Sequence, residues 1–428
     1  MAVERDDKKR DFLDNQHDID ILFTEVSMLR NTKAPDARTG ELKMVPGCNF
    51  FHYGFSCLGI TRLNSHRVEN KGCTRRGEQS TGLTFEDGFA YIVRFRPKIS
   101  ILENLQDIES TYETDEGPTS DKAFVIEKFE KENFTVVFVK VDARDTGSPK
   151  ALRRAYFVVY DIPKHISQLL GLEVAFFRVH AALKLPAYDV EDFLMTGVTE
   201  ATFCVSPNKG GKRAPDWKCA HEQLFSQEGL QWPVNPCVFT VAGFGDRETE
   251  VIFLADKVFP AKAAGWQFMD ANLSADWLFG LNKAGRGAPS EGKSWLGSKL
   301  NNPWKDHVPT WTGKSQMAGR KTTVTGDVVH AEIRRIHPLE GFQMNLWSVD
   351  KWSDRFYSAS TDVDQLGDLC GNSWSLFHYV PIVMAAFGAI SWSEVESKVI
   401  ELTRANLNID VGSDDSSSAL ADMEDPQI

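Results

Sequence analysis

Three side chains in the first half of the chain have types and settings that could do chemistry together. Cys57 stands in the run Gly54-Phe55-Ser56-Cys57-Leu58-Gly59, a thiol in a tight loop with small neighbours. A nucleophilic thiol needs that access, together with neighbours that favour its ionised form. Glu103 closes the apolar run Ile99-Ser100-Ile101-Leu102 and is followed by Asn104, 46 and 47 residues after Cys57. A carboxyl group at a strand end suits an acid, and the asparagine can fix its orientation. A polar loop from Asp145 to Arg154 then leads into a further apolar run, with Lys150, Arg153 and Arg154 at its mouth. His52 and His66 flank Cys57, which leaves a thiol–imidazole pair open, although nothing else in the sequence offers an oxyanion site.

The elements that must position these groups are legible as patterns. The stretch 99–103, the run Phe134–Asp142 (FTVVFVKVD) and the run Ala155–Pro163 (AYFVVYDIP) are β-branched and nearly all apolar. The helix-like segment 121–133 (DKAFVIEKFEKEN) separates two of them. Strands of this kind interleaved with helices predict an α/β fold with a buried sheet, whose ligands sit beyond the carboxyl ends of strands. From about residue 200 the texture changes to Gly, Pro, Lys and Trp, and seven of the eleven tryptophans fall between 217 and 311. Short strand candidates, CVFTVAGF and TEVIFLA, sit there among loops, so a smaller, irregular second domain is expected. Helical patterning returns with HPLEGFQMNLW and with the segment 379–407, ahead of a Ser/Asp-rich tail expected to be disordered.

Composition bounds the function classes. No run approaches the roughly 18 apolar residues of a membrane span. The charged start, MAVERDDKKRDF, resembles neither a secretory signal nor a transit peptide, so cytosol or nucleus is expected. The seven cysteines are scattered and form no CxxC pair, which argues against a disulfide framework and against a zinc site; no metal is expected. Cys48, Cys73 and Cys370 read as structural. The net charge of −12 is concentrated: residues 101–130 carry nine acids against two bases, and residues 401–428 seven against one. Residues 283–320 carry seven bases against two acids, namely Lys283, Arg286, Lys293, Lys299, Lys305, Lys314 and Arg320. That local strip suits phosphate contact, or equally an ordinary solvated loop.

The order thiol, acid, arginine resembles the DNA cytosine-5 methyltransferases. The family's G-F-P-C-Q-x-F-S loop stands here as Gly54-Phe55-Ser56-Cys57-Leu58-Gly59-Ile60-Thr61, and its E-N-V as Glu103-Asn104-Leu105, preceded by Arg96-Pro97-Lys98. Its P-Q-x-R-x-R-x-Y stands as Pro149-Lys150-Ala151-Leu152-Arg153-Arg154-Ala155-Tyr156. AVERDDKKRDFL and LFTEVSML resemble the segments that hold the cofactor's ribose and adenine, here through Glu4 and Glu25. RRIHPLEGFQMN resembles R-x-L-T-x-x-E-x-x-x-L-Q-G, with Arg335, Pro338 and Glu340 in place. Gly371-Asn372-Ser373, followed by an apolar helix, resembles the closing G-N-S-V segment and implies a cofactor contact at Asn372.

The resemblance implies a Rossmann-like S-adenosyl-L-methionine-dependent methyltransferase domain with a smaller target-recognition domain. The expected boundaries are 1–199 for the catalytic domain, 200–325 for target recognition, 326–405 for the return with the closing helix, and 406–428 for the acidic tail. It implies Cys57 as the nucleophile on C6 of a flipped cytosine, Glu103 on the N3 edge and Arg154 on the pyrimidine oxygen or on Glu103. It further implies DNA as partner and the nucleus as location. Four departures accompany it. Ser56 replaces proline and is expected to loosen the loop. Leu58 replaces glutamine. Lys150 and Leu152 thin a polar network. The glycine-rich F-x-G-x-G cofactor loop is absent ahead of Glu4, so the chain is expected to lack its first βα unit. A catalytically impaired DNA-binding protein of the same fold, and an RNA cytosine-5 methyltransferase, therefore stay open beside the DNA enzyme.

Overall fold

The computed structural model describes residues 1–61, 66, 69–150, 152–188, 190–193, 278–280, 317–325, 328–335, 338–347 and 363–406. Of the expected Trp-rich domain only 278–280 and 317–325 are described; its strand candidates CVFTVAGF and TEVIFLA, the basic strip before residue 317 and the acidic tail lie outside the described residues.

The strands are β1 (Ala2–Val3), β2 (Leu22–Phe23), β3 (Lys33–Pro35), β4 (Leu42–Met44), β5 (Phe50–Gly54), β6 (Ile99–Asn104), β7 (Thr111–Thr114), β8 (Gly117–Ser120), β9 (Thr135–Asp142), β10 (Arg153–Tyr160), β11 (Leu278–Gly280), β12 (Met317–Thr325) and β13 (Val328–Arg335). The helices are α1 (Asp7–Gln16), α2 (Cys73–Arg76), α3 (Gln79–Phe95), α4 (Asp121–Lys131), α5 (Lys164–Leu169), α6 (Leu172–Ala182), α7 (Pro338–Gln343), α8 (Val363–Asn372), α9 (Leu376–Gly388) and α10 (Trp392–Asn406).

The central sheet has the order β5-β6-β10-β9. β5 and β6 run parallel, joined through α3, while β10 lies antiparallel to both β6 and β9. β1 and β2 form a separate parallel pair. Alternation along β6 divides its side chains between two cores. Leu102 enters one with Phe51, Phe85, Tyr91, Val125 and Phe129, the last four carried by α3 and α4. Ile99 and Ile101 enter the other with Val137, Val139, Tyr156, Phe176, Ile382 and Ala385, under α6 and α9. A sheet covered on both faces explains the unbroken apolar runs, and each fully buried Ile, Leu or Phe contributes roughly 1.5–3 kcal/mol. The result is the open, Rossmann-like α/β arrangement expected from the sequence, with a mixed sheet.

Local signals set the helix ends. Ser120 caps α4 by accepting from the Ala123 amide at 3.2 Å. α3 stops where Arg96 takes a left-handed conformation (φ 46°) just before Pro97, which cannot continue a helix. The Arg96 guanidinium is then free to meet Asp161, with Nε donating at 2.9 Å, and so ties the start of β6 to the end of β10.

Candidate active site

The thiol, the acid and the arginine converge at one end of the sheet. Gly54 and Glu103 are partners across the parallel β5–β6 pair, and Glu103 lies opposite Tyr156 across the antiparallel β6–β10 pair. Arg154, two residues before Tyr156, shares its face. Its Nε donates to Glu103 Oε1 at 2.7 Å, and both side chains are mostly covered, 21% and 17% exposed. Such a pair is shielded from solvent far better than a surface ion pair.

The Cys57 loop is pinned by α3 and β6. The Ser56 amide donates to Thr84 Oγ1 at 3.0 Å, Ser56 Oγ pairs with Ser80 Oγ at 2.9 Å, and the Gly59 amide donates to Thr81 Oγ1 at 2.9 Å. Asn104 Nδ2 donates to the Phe55 carbonyl at 3.1 Å, so the residue after the acid holds the loop before the thiol. Gly59 is required by close approach: a Cβ there would lie 2.8 Å from Cys73 Sγ and 2.9 Å from Thr81 Oγ1.

Electrostatics couple the thiol to the acid. Burial pushes the half-buried Cys57 thiol up, and the Glu103 carboxylate raises it further while Arg154 opposes. Burial also raises Glu103, with Arg154 pulling the other way. Two acids near one guanidinium prefer to share a single negative charge, so a proton on Glu103 favours thiolate at Cys57.

The structure corrects several expectations. Ser56 does not loosen the loop, because its hydroxyl and amide supply the ties given above, and its Oγ also accepts from the Leu58 amide at 3.3 Å. Lys150 does not stand at a strand mouth; it is buried, and its Nζ donates to Asn345 Oδ1 at 3.0 Å. Asn345 in turn donates to Ser373 Oγ at 2.8 Å, so Lys150 belongs to a buried polar knot. Arg153 turns to Asp142 at 3.1 Å and takes no part in the site. His52 packs tilted against Trp374 and Tyr379, and His66 meets Glu69 at 3.1 Å, so each imidazole has a neighbour other than Cys57. Cys73 and Cys370 are buried, and Cys48 Sγ meets Tyr91 Oη at 3.4 Å.

Of the other expected site residues, Glu4 and Glu25 follow the strands of the separate pair. Glu4 directly follows β1, and Glu25 stands two residues after β2, at the carboxyl ends of parallel neighbours. Glu4 Oε1 accepts from the Asp6 amide at 2.9 Å, and Glu25 pairs with Arg5 at 3.2 Å. Asn372 ends α8, which is held against α1 by Lys9 and Asp368 at 3.3 Å. Glu340 is buried in α7. Among the described residues there is no cluster of three or more metal-ligating side chains, and no single helix is long and apolar enough to cross a membrane.

Sequence reasoning missed Trp374. Its ring atoms Cζ2 and Nε1 lie 3.5 and 3.6 Å from where a Gly54 Cβ would stand, and Glu103 Oε2 lies 3.4 Å from the same point. The tryptophan in Gly-Asn-Ser-Trp, where the family has valine, was the available signal.

Among solved structures the chain is similar to the Entamoeba histolytica methyltransferase EhMeth, at 8% identity and a TM-score of 0.47, covering 90% of this chain and 89% of that one. It is similar to the S. pombe Dnmt2 methyltransferase at 9% identity and a TM-score of 0.42, covering 90% and 88%. A putative DNA modification methyltransferase encoded within an E. coli prophage follows at 13% identity and a TM-score of 0.41, covering 91% and 90%. No family model and no curated protein matches the sequence. At these values the likeness is one of chain course, and the chemistry rests on this chain's own residues.

Proposed function

We propose that the chain is a cytosine-C5 methyltransferase that acts on a cytosine carried by a nucleic acid, with Cys57 as covalent nucleophile. The carrying observation is the Glu103–Arg154 pair at 2.7 Å, set at the strand end beside the pinned Cys57 loop. Carbon 5 of cytosine is a weak nucleophile until a group adds at C6. Cys57 Sγ would form that bond as thiolate. The displaced π pair comes to rest on N3, which takes the proton of Glu103, and the carboxylate left behind is met by Arg154. Loss of the C5 proton to solvent then lets the S–C6 bond break, which returns the thiolate, and N3 gives its proton back to Glu103. A base inside a helical stack cannot reach this pocket, so the target nucleotide must be turned out.

The methyl donor consistent with this chemistry is S-adenosyl-L-methionine, which when bound would supply the methyl group to C5. The residues present fit it. Glu4 and Glu25 offer carboxylates at adjacent parallel strand ends, acceptors suited to ribose hydroxyls and an adenine amine, and α8, which ends at Asn372, is tied to α1 through Lys9 and Asp368. Gly54 leaves open a place that a Cβ would fill against Glu103 and Trp374. The groups at the thiol end address the base and not the sugar. The reading therefore stands at cytosine in a nucleic acid, and the choice between DNA and RNA belongs to the test.

The test is a covalent trap. The protein is incubated with S-adenosyl-L-methionine and with DNA or RNA carrying 5-fluorocytosine, whose C5 substituent cannot leave as a proton. A denaturant-resistant adduct is expected on one polymer, and Cys57→Ser must abolish it. Adducts on neither polymer, or an adduct that survives in Cys57→Ser, would refute the proposal.

A further inference from the structure

Trp374 has no part in the chemistry described so far, yet it closes the site. Its backbone is anchored: the Trp374 carbonyl accepts from Trp347 Nε1 at 2.7 Å, and the adjacent Ser373 is held by Asn345, itself bound to the buried Lys150. Its ring is wedged among His52, Tyr379 and Tyr156, at centroid separations of 3.4, 4.8 and 6.4 Å. From that wedge its Cζ2 and Nε1 come within 3.5 and 3.6 Å of the point where a Gly54 Cβ would stand, a point that Glu103 Oε2 approaches to 3.4 Å. Gly54 has no side chain to do this, and Tyr156 covers the carboxyl from the neighbouring strand.

We propose that Trp374 is a positioning residue that keeps water off the Glu103 carboxyl and thereby holds a proton on it for delivery to the target ring. This rests on the cytosine reading for its purpose, but its physical content is a coupling between Trp374 and Glu103 that can be read without substrate. Among the described residues, the groups that face Glu103 are few. Arg154 on β10 is the cation, Tyr156 on β10 and Cys57 on the loop after β5 are the neutral acids, and Arg154 and Glu103 both act on Cys57 and Tyr156. His52 lies behind the indole and His378 behind Tyr156, and Lys150 faces Arg154. With the indole in place, desolvation outweighs the pull of Arg154 and Glu103 is raised. With the indole removed, water reaches the carboxyl while the guanidinium stays, so the balance tips toward the carboxylate.

The experiment is a pH titration of 13C-labelled glutamate side chains in the full chain, with the Glu103 signal assigned by its loss in Glu103→Gln. Trp374→Ala is expected to weaken the proton affinity of Glu103 by about tenfold or more, one pKa unit. Trp374→Phe, which keeps an aromatic in the wedge but withdraws from Gly54, must shift it the same way by less. Should Trp374→Ala not fold, Trp374→Phe decides. An unchanged Glu103 titration in the folded variants overturns the proposal. The 5-fluorocytosine trap separates the two ideas. If wild type traps no cytosine while the titration moves, the function falls and the coupling stands. If wild type traps it but the titration does not move, the reverse holds. Where both hold, the pH above which trapping declines must move down in Trp374→Ala.

Discussion

Replacing Arg154 with methionine tests whether the Glu103–Arg154 pair is the electrostatic centre of the site. Methionine keeps much of the stem's volume and removes the guanidinium, which leaves Glu103 covered on its strand with no cation at 2.7 Å. Removing one partner of a buried pair costs about 3–5 kcal/mol when the other must stay charged. Glu103 need not stay charged, because it can take a proton. Its penalty therefore cannot exceed the free energy of protonating a glutamate whose ordinary value is 4.5. At 1.36 kcal/mol per unit that ceiling is about 4.8 kcal/mol at pH 8 and about 0.7 kcal/mol at pH 5. The direction follows from linkage. In the variant the folded-state value of Glu103 rises further above its unfolded value. The protonated form's contribution is thus full below about pH 4.5 and is lost as pH rises through the folded value. Wild type carries the same sign of shift but a smaller one, since Arg154 opposes it. Urea unfolding at pH 5 and pH 8 should show Arg154→Met close to wild type at the lower pH and less stable by about 2–4 kcal/mol at the higher, with an unchanged denaturant slope. Adding Glu103→Gln to Arg154→Met should remove most of that pH dependence. Equal destabilisation at the two pH values would mean that Arg154 acts by packing and that the charge argument is wrong.

Two further outcomes are expected. Glu103→Gln removes the charge that raises Cys57, so alkylation of Cys57 by iodoacetamide at pH 8 should speed up several-fold, scored against Cys57→Ser; a slower or equal rate would uncouple the two groups. Gly59→Ala drives a Cβ to 2.8 Å from Cys73 Sγ and should cost about 1–3 kcal/mol in urea unfolding, while a neutral change would show that the loop yields.

Much of the site was legible in the chain itself. The small residues around Cys57 implied a tight loop, and the apolar run ending in Glu103-Asn104 implied a buried strand with polar groups at its carboxyl end, as β6 shows. A helix over 121–133 was legible from its apolar spacing, because amphipathic period acts over a few residues; the structure ends it at Lys131 and adds the Ser120 cap. The run after Arg154 was equally plain as a strand, but its direction was not, since an apolar run reads the same whichever way it pairs. Only the fold inserts β10 antiparallel between β6 and β9, and that reversal brings the start of β10, with Arg154, beside the end of β6, with Glu103. A parallel β10 would have left the guanidinium at the opposite end of the sheet. The same holds for Lys150, which reads as a base at a strand mouth beside two arginines and is instead buried against Asn345, 195 residues away in sequence. It holds too for Trp374, which comes beside Gly54 from a third segment of the chain. Residue types and short spacings determine which chemistry is available and which elements form. Contacts between segments far apart in sequence depend on strand order and strand direction, and those are decided only when the whole core packs.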